Sequence, residues 1–359
     1  MSNDSLNVTK NLRRGALTAL RSWGVFNLVR DSRWRQNRLL ILCYHGISQE
    51  DEHLWRPGLY MQASVFQQRL EILKRGGYNV LSLSDGLRKL EEGGLPNRSV
   101  VLTFDDGGYD FYQQAYPLLQ NHGFPATVYL TTYYSDYQTP IFNLVCSYML
   151  WKRRGTIFQK GSEIGIAGPS DLTTELNRHR IVRQLIDLSE AEKMSGRQKD
   201  ELATRLAQLL DIDYAALKQR RFLQIMTANE VAELASKGVD FQLHTHRHRV
   251  PLDEQLFRKE IDDNKVRIRA SANSEPVHFC YPSGVYRQEF LDWLKKEEVA
   301  SATTCDVGLV TKATNKLLLP RFVDTYDRTE VEFESWLSGI GSLIAMRRVS
   351  TQTYQPPKD

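Results

Sequence analysis

The sequence predicts an α/β fold built on parallel strands and interrupted midway by a largely helical insertion. Three observations predict it. Residues 39–44 are apolar at every position, the mark of a strand covered on both faces, and 99–104 and 126–132 read as further strands. Helical patterns separate these runs, as crossover connections between parallel strands require. From residue 133 to 221 the strand pattern stops and the composition turns polar, charged and helical.

Taken in order, residues 1–38 form a basic N-terminal helical arm. It carries Lys10, Arg13, Arg14, Arg21, Arg30, Arg33, Arg35 and Arg38 against Asp4 and Asp31. Interleaved Leu12, Leu17, Leu20, Trp23, Phe26, Leu28 and Val29 leave two readings open. The arm is a peripheral anchor on an anionic membrane surface, or a basic helix packed on the domain. Residues 39–44 then read as a strand delivering His45 and Gly46. Ser64 opens a helix to about Arg75, closed by Gly76 and Gly77. Residues 78–83 make the next strand, and Ser84 starts a helix that ends at Gly93. The strand over 99–104 delivers Asp105, Asp106 and Gly107. A helix over 109–122 and a strand over 126–132 follow.

No clear strand shows in the insertion, residues 133–221. Ser189 and Glu192 stand at capping-box spacing there, which predicts a helix running to about Leu210. The insertion reads equally as a lid, an oligomer contact or a partner site. Alternation resumes with a second box, Thr227 and Glu230, a helix to Lys237, and a strand over 239–243 that ends at His244. A helix over 252–270, a strand over 277–281 and the turn Pro282-Ser283-Gly284 come next. A helix over 289–297, a strand over 300–304 and the apolar run 317–319 complete the pattern. The expected division is a catalytic domain in two pieces, 39–132 and 222–345, with a polar tail over 346–359.

Composition narrows the class. A hydrophobic content of 41% with 25% charged residues is that of a soluble globular protein. Cys43, Cys146, Cys280 and Cys305 are far apart and form no C-x-x-C pair. They are expected as buried thiols in a reducing compartment rather than as a disulfide framework. No secretory pattern and no apolar run of about 18 residues is found. The expectation is therefore a cytoplasmic protein, peripheral at the inner membrane face if the arm is an anchor. Phosphate-loop and Rossmann glycine patterns are absent, and no basic-aromatic interleaving suggests nucleic acid.

Chemistry concentrates at strand ends. Asp105 and Asp106 are adjacent carboxylates, which repel unless a cation or a proton separates them. Neighbours in a strand point to opposite faces, so an ion takes one and leaves the other for a different task. An acidic turn capping the next helix is the competing account. The run His244-Thr245-His246-Arg247-His248 places two imidazoles four positions apart, one turn from each other if the chain is helical here. With a carboxylate such as Asp106 they make a two-histidine, one-carboxylate set of the hydrolytic zinc kind.

These residues carry a family resemblance. Thr103-Phe104-Asp105-Asp106-Gly107 resembles the first motif of the NodB-homology polysaccharide deacetylases, carbohydrate esterase family 4. His244 to His248 is similar to their second motif, H-[S/T]-x-x-H. Phe279-Cys280-Tyr281-Pro282-Ser283-Gly284 looks like their third, and Tyr44-His45-Gly46 resembles the early strand of many members. The resemblance implies a distorted (β/α)7-type barrel, the NodB-homology fold, with the site at the C-terminal strand ends. It implies Asp105 as catalytic base, and Asp106, His244 and His248 as ligands of a divalent metal, commonly zinc, with cobalt or manganese in some members. That ion would polarise an acetyl carbonyl, and the Ser283 backbone N–H would stabilise the oxyanion.

Two positions depart from the pattern. Where the family's third motif carries an arginine that orients the base, this chain has Cys280. Where its fifth carries a histidine acid, the run is Leu319-Pro320-Arg321-Phe322. Arg321 is read as holding Asp105, as holding a sugar substituent, or as a structural ion pair. His45, His246 and His278 are the alternative proton donors, with His45 equally readable as core. Tyr109, Tyr281, Tyr286 and Trp293 are candidate groove aromatics. The function implied is metal-dependent removal of acetyl, foremost N-acetyl, from a polysaccharide or lipid-linked glycan precursor, as in exopolysaccharide biosynthesis. A deformylase or amidase of the same fold, and a silent glycan-binding protein, are the alternatives.

Overall fold

Runs without a polar face become strands buried on both sides. Eight of them form one parallel sheet in the computed structural model of the chain, which describes residues 3–344. They are β1 (Leu40–Tyr44), β2 (Asn79–Leu81), β3 (Ser99–Asp106), β4 (Thr127–Leu130), β5 (Asp240–Leu243), β6 (His278–Cys280), β7 (Ser301–Thr303) and β8 (Phe322–Val323). The order is β7-β6-β5-β4-β3-β1-β8, with β2 paired to the first half of β3. The sheet curls into a distorted barrel, because the segment carrying β8 bonds to both edges. Leu319 N donates to the Ala302 carbonyl of β7, and Phe322 pairs with Leu42 of β1. The tail expected over 346–359 lies outside the described residues.

Register decides which side chains reach the interior. Leu40 pairs with Val100 and Tyr44 with Phe104, and alternate residues of β1 and β3 share a face. Leu42, Val100, Leu102 and Phe104 pack outward with Phe66, Phe111 and Leu119 of the helices. Ile41, Val101, Tyr129 and Cys280 pack together in a second, smaller cluster. Continuing the period of two from Val101 puts Asp105 on that inner face. Parallel strands deliver all their C-terminal ends to one rim, so residues following β1, β3, β5 and β6 meet there.

The arm is packed on the domain. Helices Asn3–Ser22 and Val25–Arg30 bury Leu17 and Phe26 against Val331 and Ile340. Arg14 pairs with Glu332 at 3.0 Å, and Arg21 with Glu330 and Glu334 at 2.8 Å each. Arg35 is wholly buried with Nε donating to the Leu337 carbonyl at 3.1 Å; burial pushes its guanidinium down to about 10. Leu12, Trp23 and Leu28 stay exposed. Among the described residues no helix is long and apolar enough to cross a membrane.

The insertion has a core of its own, with Met149, Leu185, Leu206 and Phe222 at its centre. Its helices are Phe142–Lys152, Glu175–Ala191, Gly196–Leu209 and Tyr214–Gln219. Three expectations are corrected. Ser189 opens no helix: it sits inside Glu175–Ala191, where its hydroxyl donates to the Ile186 carbonyl at 2.8 Å. The capping box belongs to Ser195 and Gln198, six residues on. The insertion also holds a two-residue antiparallel pair, Ile157–Phe158 with Ser170–Asp171. Earlier in the chain, Ser82 rather than Ser84 caps its helix, which begins at Leu83.

Candidate active site

β3 ends in a sharp change of direction. Asp106 has φ 70° and Gly107 φ 78°, both left-handed. That conformation is unfavourable for aspartate, and a strained backbone is common at sites where a side chain must be re-aimed. A Cβ on Gly107 would press on Leu130 Cδ1, and the left-handed backbone there favours glycine. The kink turns Asp106 toward the rim while Asp105 stays inside.

The histidine run follows β5 and is not helical. Thr245 at φ 61° and His248 at φ 54° fold it into a tight loop that brings the two rings to 4.9 Å between centroids. This corrects the helical-turn expectation. Helix Glu254–Ala272 holds the loop: Asn264 Oδ1 accepts from His244 N at 2.9 Å, and buried Glu260 accepts from Arg247 N at 2.8 Å and Arg249 Nε at 2.7 Å. Asn264 and Glu260 were not singled out from sequence. Their signal was polar residues on the apolar face of a helix.

The residues fit a divalent cation. His244 Nδ1 is 2.9 Å from the Cys280 carbonyl oxygen, which only accepts, so that nitrogen carries the proton and the neutral ring presents Nε2 as a lone pair. Nε2 of His244 and of His248 stand 3.3 Å and 3.2 Å from Asp106 Oδ1. That oxygen is buried and accepts no aligned hydrogen bond. The three atoms lie within 4.8 Å of one another. Burial alone would raise the Asp106 carboxyl, but His248 and His244 hold it well below the usual carboxylate range. Burial likewise opposes His244, yet Asp106 and Asp105 raise it. Two further groupings, Cys43-His45-Asp105 and Asp105-His244-Cys280, share Asp105, which a guanidinium already neutralises.

That guanidinium is Arg321. Its Nη1 and Nη2 donate to Asp105 Oδ1 and Oδ2 at 2.7 Å and 2.8 Å, a bidentate pair with the arginine wholly buried. Nε donates to the Thr304 carbonyl at 3.0 Å, and Nη2 is 3.1 Å from Cys280 Sγ. Of the readings left open for Arg321, the structure has it hold Asp105. Burial pushes the Asp105 carboxyl up, but Arg321 outweighs it and keeps the group far below its ordinary value. The thiols of Cys43 and Cys280 point at Oδ2 from 3.6 Å and 3.5 Å. These cysteines and Cys146 are buried free thiols, whereas Cys305 is exposed, against expectation. It sits past the end of β7, on the cleft wall.

His45 Nε2 stands 3.7 Å from Asp105 Oδ2, on the same rim. The other proposed donors are elsewhere. His246 faces Thr132 Oγ1 at 2.9 Å and lines a separate cavity with Asp263 and Arg267. His278 is held between Ser84 and Ser301, both at 2.8 Å. Ser283, exposed at φ 56°, lies on the wall of the main cleft.

The cleft itself has a volume of about 840 Å³ and joins the rim to the insertion. His45, Asp105, Asp106, His244 and His248 line one end of it; Tyr133, Tyr137 and Phe142 line the insertion side. The groove aromatics expected from sequence do not. Tyr109 lies under Arg221, Tyr281 donates to the Leu317 carbonyl, Tyr286 donates to Asp306, and Trp293 packs on Phe257 and Phe290. Each answers a helix or loop covering it, which no local pattern records. Asp110, also missed, lines the cleft; its Oδ2 accepts from Ile47 N at 2.6 Å, and burial pushes its carboxyl up to about 7.

Comparison with known proteins bears on this geometry. The profile of the family described as polysaccharide deacetylase matches residues 92–202 and 213–302. The poly-beta-1,6-N-acetyl-D-glucosamine N-deacetylase of Escherichia coli (strain K12) is 31% identical over 102 residues, 28% of this chain and 15% of that protein. The protein of the same name from Staphylococcus aureus (strain MSSA476) is 35% identical over 69 residues, 19% of this chain and 24% of that one. The chain thus aligns with less than a quarter of either relative's length. Among solved structures, the Streptococcus pyogenes deacetylase PplD in complex with acetate superposes with a TM-score of 0.53 at 21% identity. That match covers 81% of this chain and 93% of the other, and shows a shared fold.

Proposed function

Because the chain belongs to the polysaccharide deacetylase family, we propose that it is a metal-dependent hydrolase that removes an N-acetyl group from a glycan. The observation that carries this is the pairing of a metal-type triad, Asp106, His244 and His248, with an arginine-clamped carboxylate, Asp105, at one end of a cleft. The relatives named for a poly-N-acetylglucosamine substrate make an acetylated hexosamine the sugar to try first.

The triad would hold zinc, whose hydrolytic sites take two histidines and a carboxylate and keep a position open. Bound there, the ion would polarise the acetyl carbonyl. The rest falls to the chain. Asp105, fixed by Arg321, stays ionised and takes a proton from the attacking water. His45, 3.7 Å from the same carboxylate, returns a proton to the departing amine, in place of the histidine that Arg321 displaces. The Ser283 backbone N–H, on the cleft wall, stabilises the tetrahedral oxyanion. Acetate and a free amine leave.

The substrate is a polysaccharide or a lipid-linked precursor. The arm's exposed Leu12, Trp23 and Leu28, at 70%, 76% and 74%, favour the precursor and a peripheral contact with a membrane surface. Acetate release from acetylated hexosamine oligomers by zinc-reconstituted protein, with Asp105→Asn alongside, tests the activity. Release that needs metal and disappears in the variant supports it. Formate release, or binding without release, would favour the amidase or the silent glycan-binding reading instead.

A further inference from the structure

The cleft is also lined by Tyr60 and by Arg56, the residue that ends the short helix Glu52–Trp55. Arg56 is half-buried, with its guanidinium carbon 4.7 Å from the centroid of Trp55, which stacks on Tyr60 at 5.9 Å. Among the described residues no carboxylate pairs with it and no hydrogen bond engages its side chain. Burial pushes its guanidinium down from the ordinary arginine value, and Glu175 acts on it only from beyond ion-pair distance. A cation taken partly out of water without a partner is costly unless something fills that place.

A second cation lines the same cleft. Lys199, on helix Gly196–Leu209, lines the cleft from the insertion side and makes no ion pair among the described residues. Most acids on these walls are engaged. Arg321 holds Asp105, the triad surrounds Asp106, and Tyr214 and Lys218 hold Asp200 at 2.7 Å and 3.1 Å. Asp110 accepts from Ile47 N, which leaves Glu190 against two cations. Ile141, Leu144, Ile186 and Met194 line the same cleft, so much of its wall is apolar.

We infer that Arg56 and Lys199 form an anion subsite, which takes a phosphate or a carboxylate carried by the acetylated glycan. The inference rests on the deacetylase reading only for the sugar at the rim. A bidentate guanidinium contact suits either anion. The substrate class is then an acidic glycan unit, a sugar phosphate or a uronic-acid-containing chain, rather than a neutral homopolymer.

Equilibrium binding tests it on the full chain, read by Trp55-containing tryptophan fluorescence and by calorimetry. The probes are N-acetylglucosamine, its 1-phosphate and an N-acetylated aminouronic acid, with and without added zinc. One anionic probe should bind on the order of tenfold tighter than the neutral sugar. That preference should survive zinc removal and vanish in Arg56→Gln. Lys199→Gln, a half-buried position with no ion pair to lose among the described residues, should reduce it about two- to threefold with Tm unchanged. The stronger anionic probe identifies the group. Equal affinity for all three, a preference kept in Arg56→Gln, or one lost with the zinc would each overturn the subsite. Acetate release is assayed separately, so binding preference without release would sink the deacetylase reading and leave the subsite standing. Release without preference would do the reverse.

Discussion

Arg321 clamps Asp105 with two parallel hydrogen bonds, 2.7 Å and 2.8 Å, between residues 216 apart in sequence. The position where a histidine acid was expected instead supplies the arginine expected near Cys280. The ion-pair geometry is preserved by exchange: a thiol takes the near strand and the guanidinium comes from the segment that closes the barrel.

Removing the arginine should therefore cost both fold and function. Arg321→Met leaves a buried carboxylate unpaired, a loss of about 3–5 kcal/mol for pairs of this kind. Thermal unfolding should show a marked drop in Tm, and kcat should fall at least about tenfold. A variant with unchanged Tm would mean that Asp105 is solvated in solution.

Asp105→Asn should abolish turnover while metal affinity, read by calorimetry, stays within a few-fold, because Asp105 is not in the triad. His244→Gln should do the opposite first: weaken zinc by a factor of ten or more, with activity following. Zinc at one hundred times its dissociation constant should stabilise the wild type by about 2.7 kcal/mol. Failure of zinc to raise Tm in wild type would remove the triad as a metal site.

His45→Gln should lower kcat about 10²–10⁴-fold, the range of general acid–base catalysis, with KM little changed. The readout separating catalysis from packing is rescue: added imidazole should restore part of kcat in the variant while its Tm stays at the wild-type value. A variant that keeps its kcat would assign the proton to another group.

Asp110 offers a pH signature of stability. Its folded carboxyl is raised to about 7 by burial, above the unfolded value near 3.9. The folded state then binds more protons than the unfolded one between these limits, so its contribution is full below about 4 and is lost as pH rises through about 7. Asp110→Asn, which keeps an acceptor for Ile47 N, should match wild-type Tm at about pH 4 and exceed it by a growing margin up to about pH 7. Parallel Tm curves would show Asp110 to be ionised at neutral pH.

The arm's exposed apolar residues are tested by sedimentation with vesicles containing anionic lipid. Wild type should bind in low salt, and a Leu12→Ser, Trp23→Ser, Leu28→Ser variant should bind several-fold less. Its fold should hold, since Leu17 and Phe26 make the buried contacts. No vesicle binding by wild type would leave the arm a packing element alone.

Much of this was legible because it is local. Apolar runs marked β1, β3, β4 and β5; the Thr227–Glu230 box marked its helix; and acids or histidines placed directly after strands marked the rim. The misreadings were also local. Ser189 and Glu192 satisfy the capping pattern inside a helix already formed, because the pattern records spacing and not whether the amides are free. The histidine pair has helical spacing but meets through left-handed turns held by Asn264 and Glu260.

By itself, then, the sequence determined which strands form, that their ends carry Asp105, Asp106, His244 and His248, and which family they resemble. Periodicity, turn residues and motif order act over a few neighbours and need no partner. Only the tertiary structure decided that Arg321 serves Asp105, that His45 and not His246 or His278 faces it, and that the insertion walls the cleft beside Arg56. Those pairings depend on closing the sheet so that distant strand ends share one rim, and a buried charge takes whatever partner that closure brings within reach.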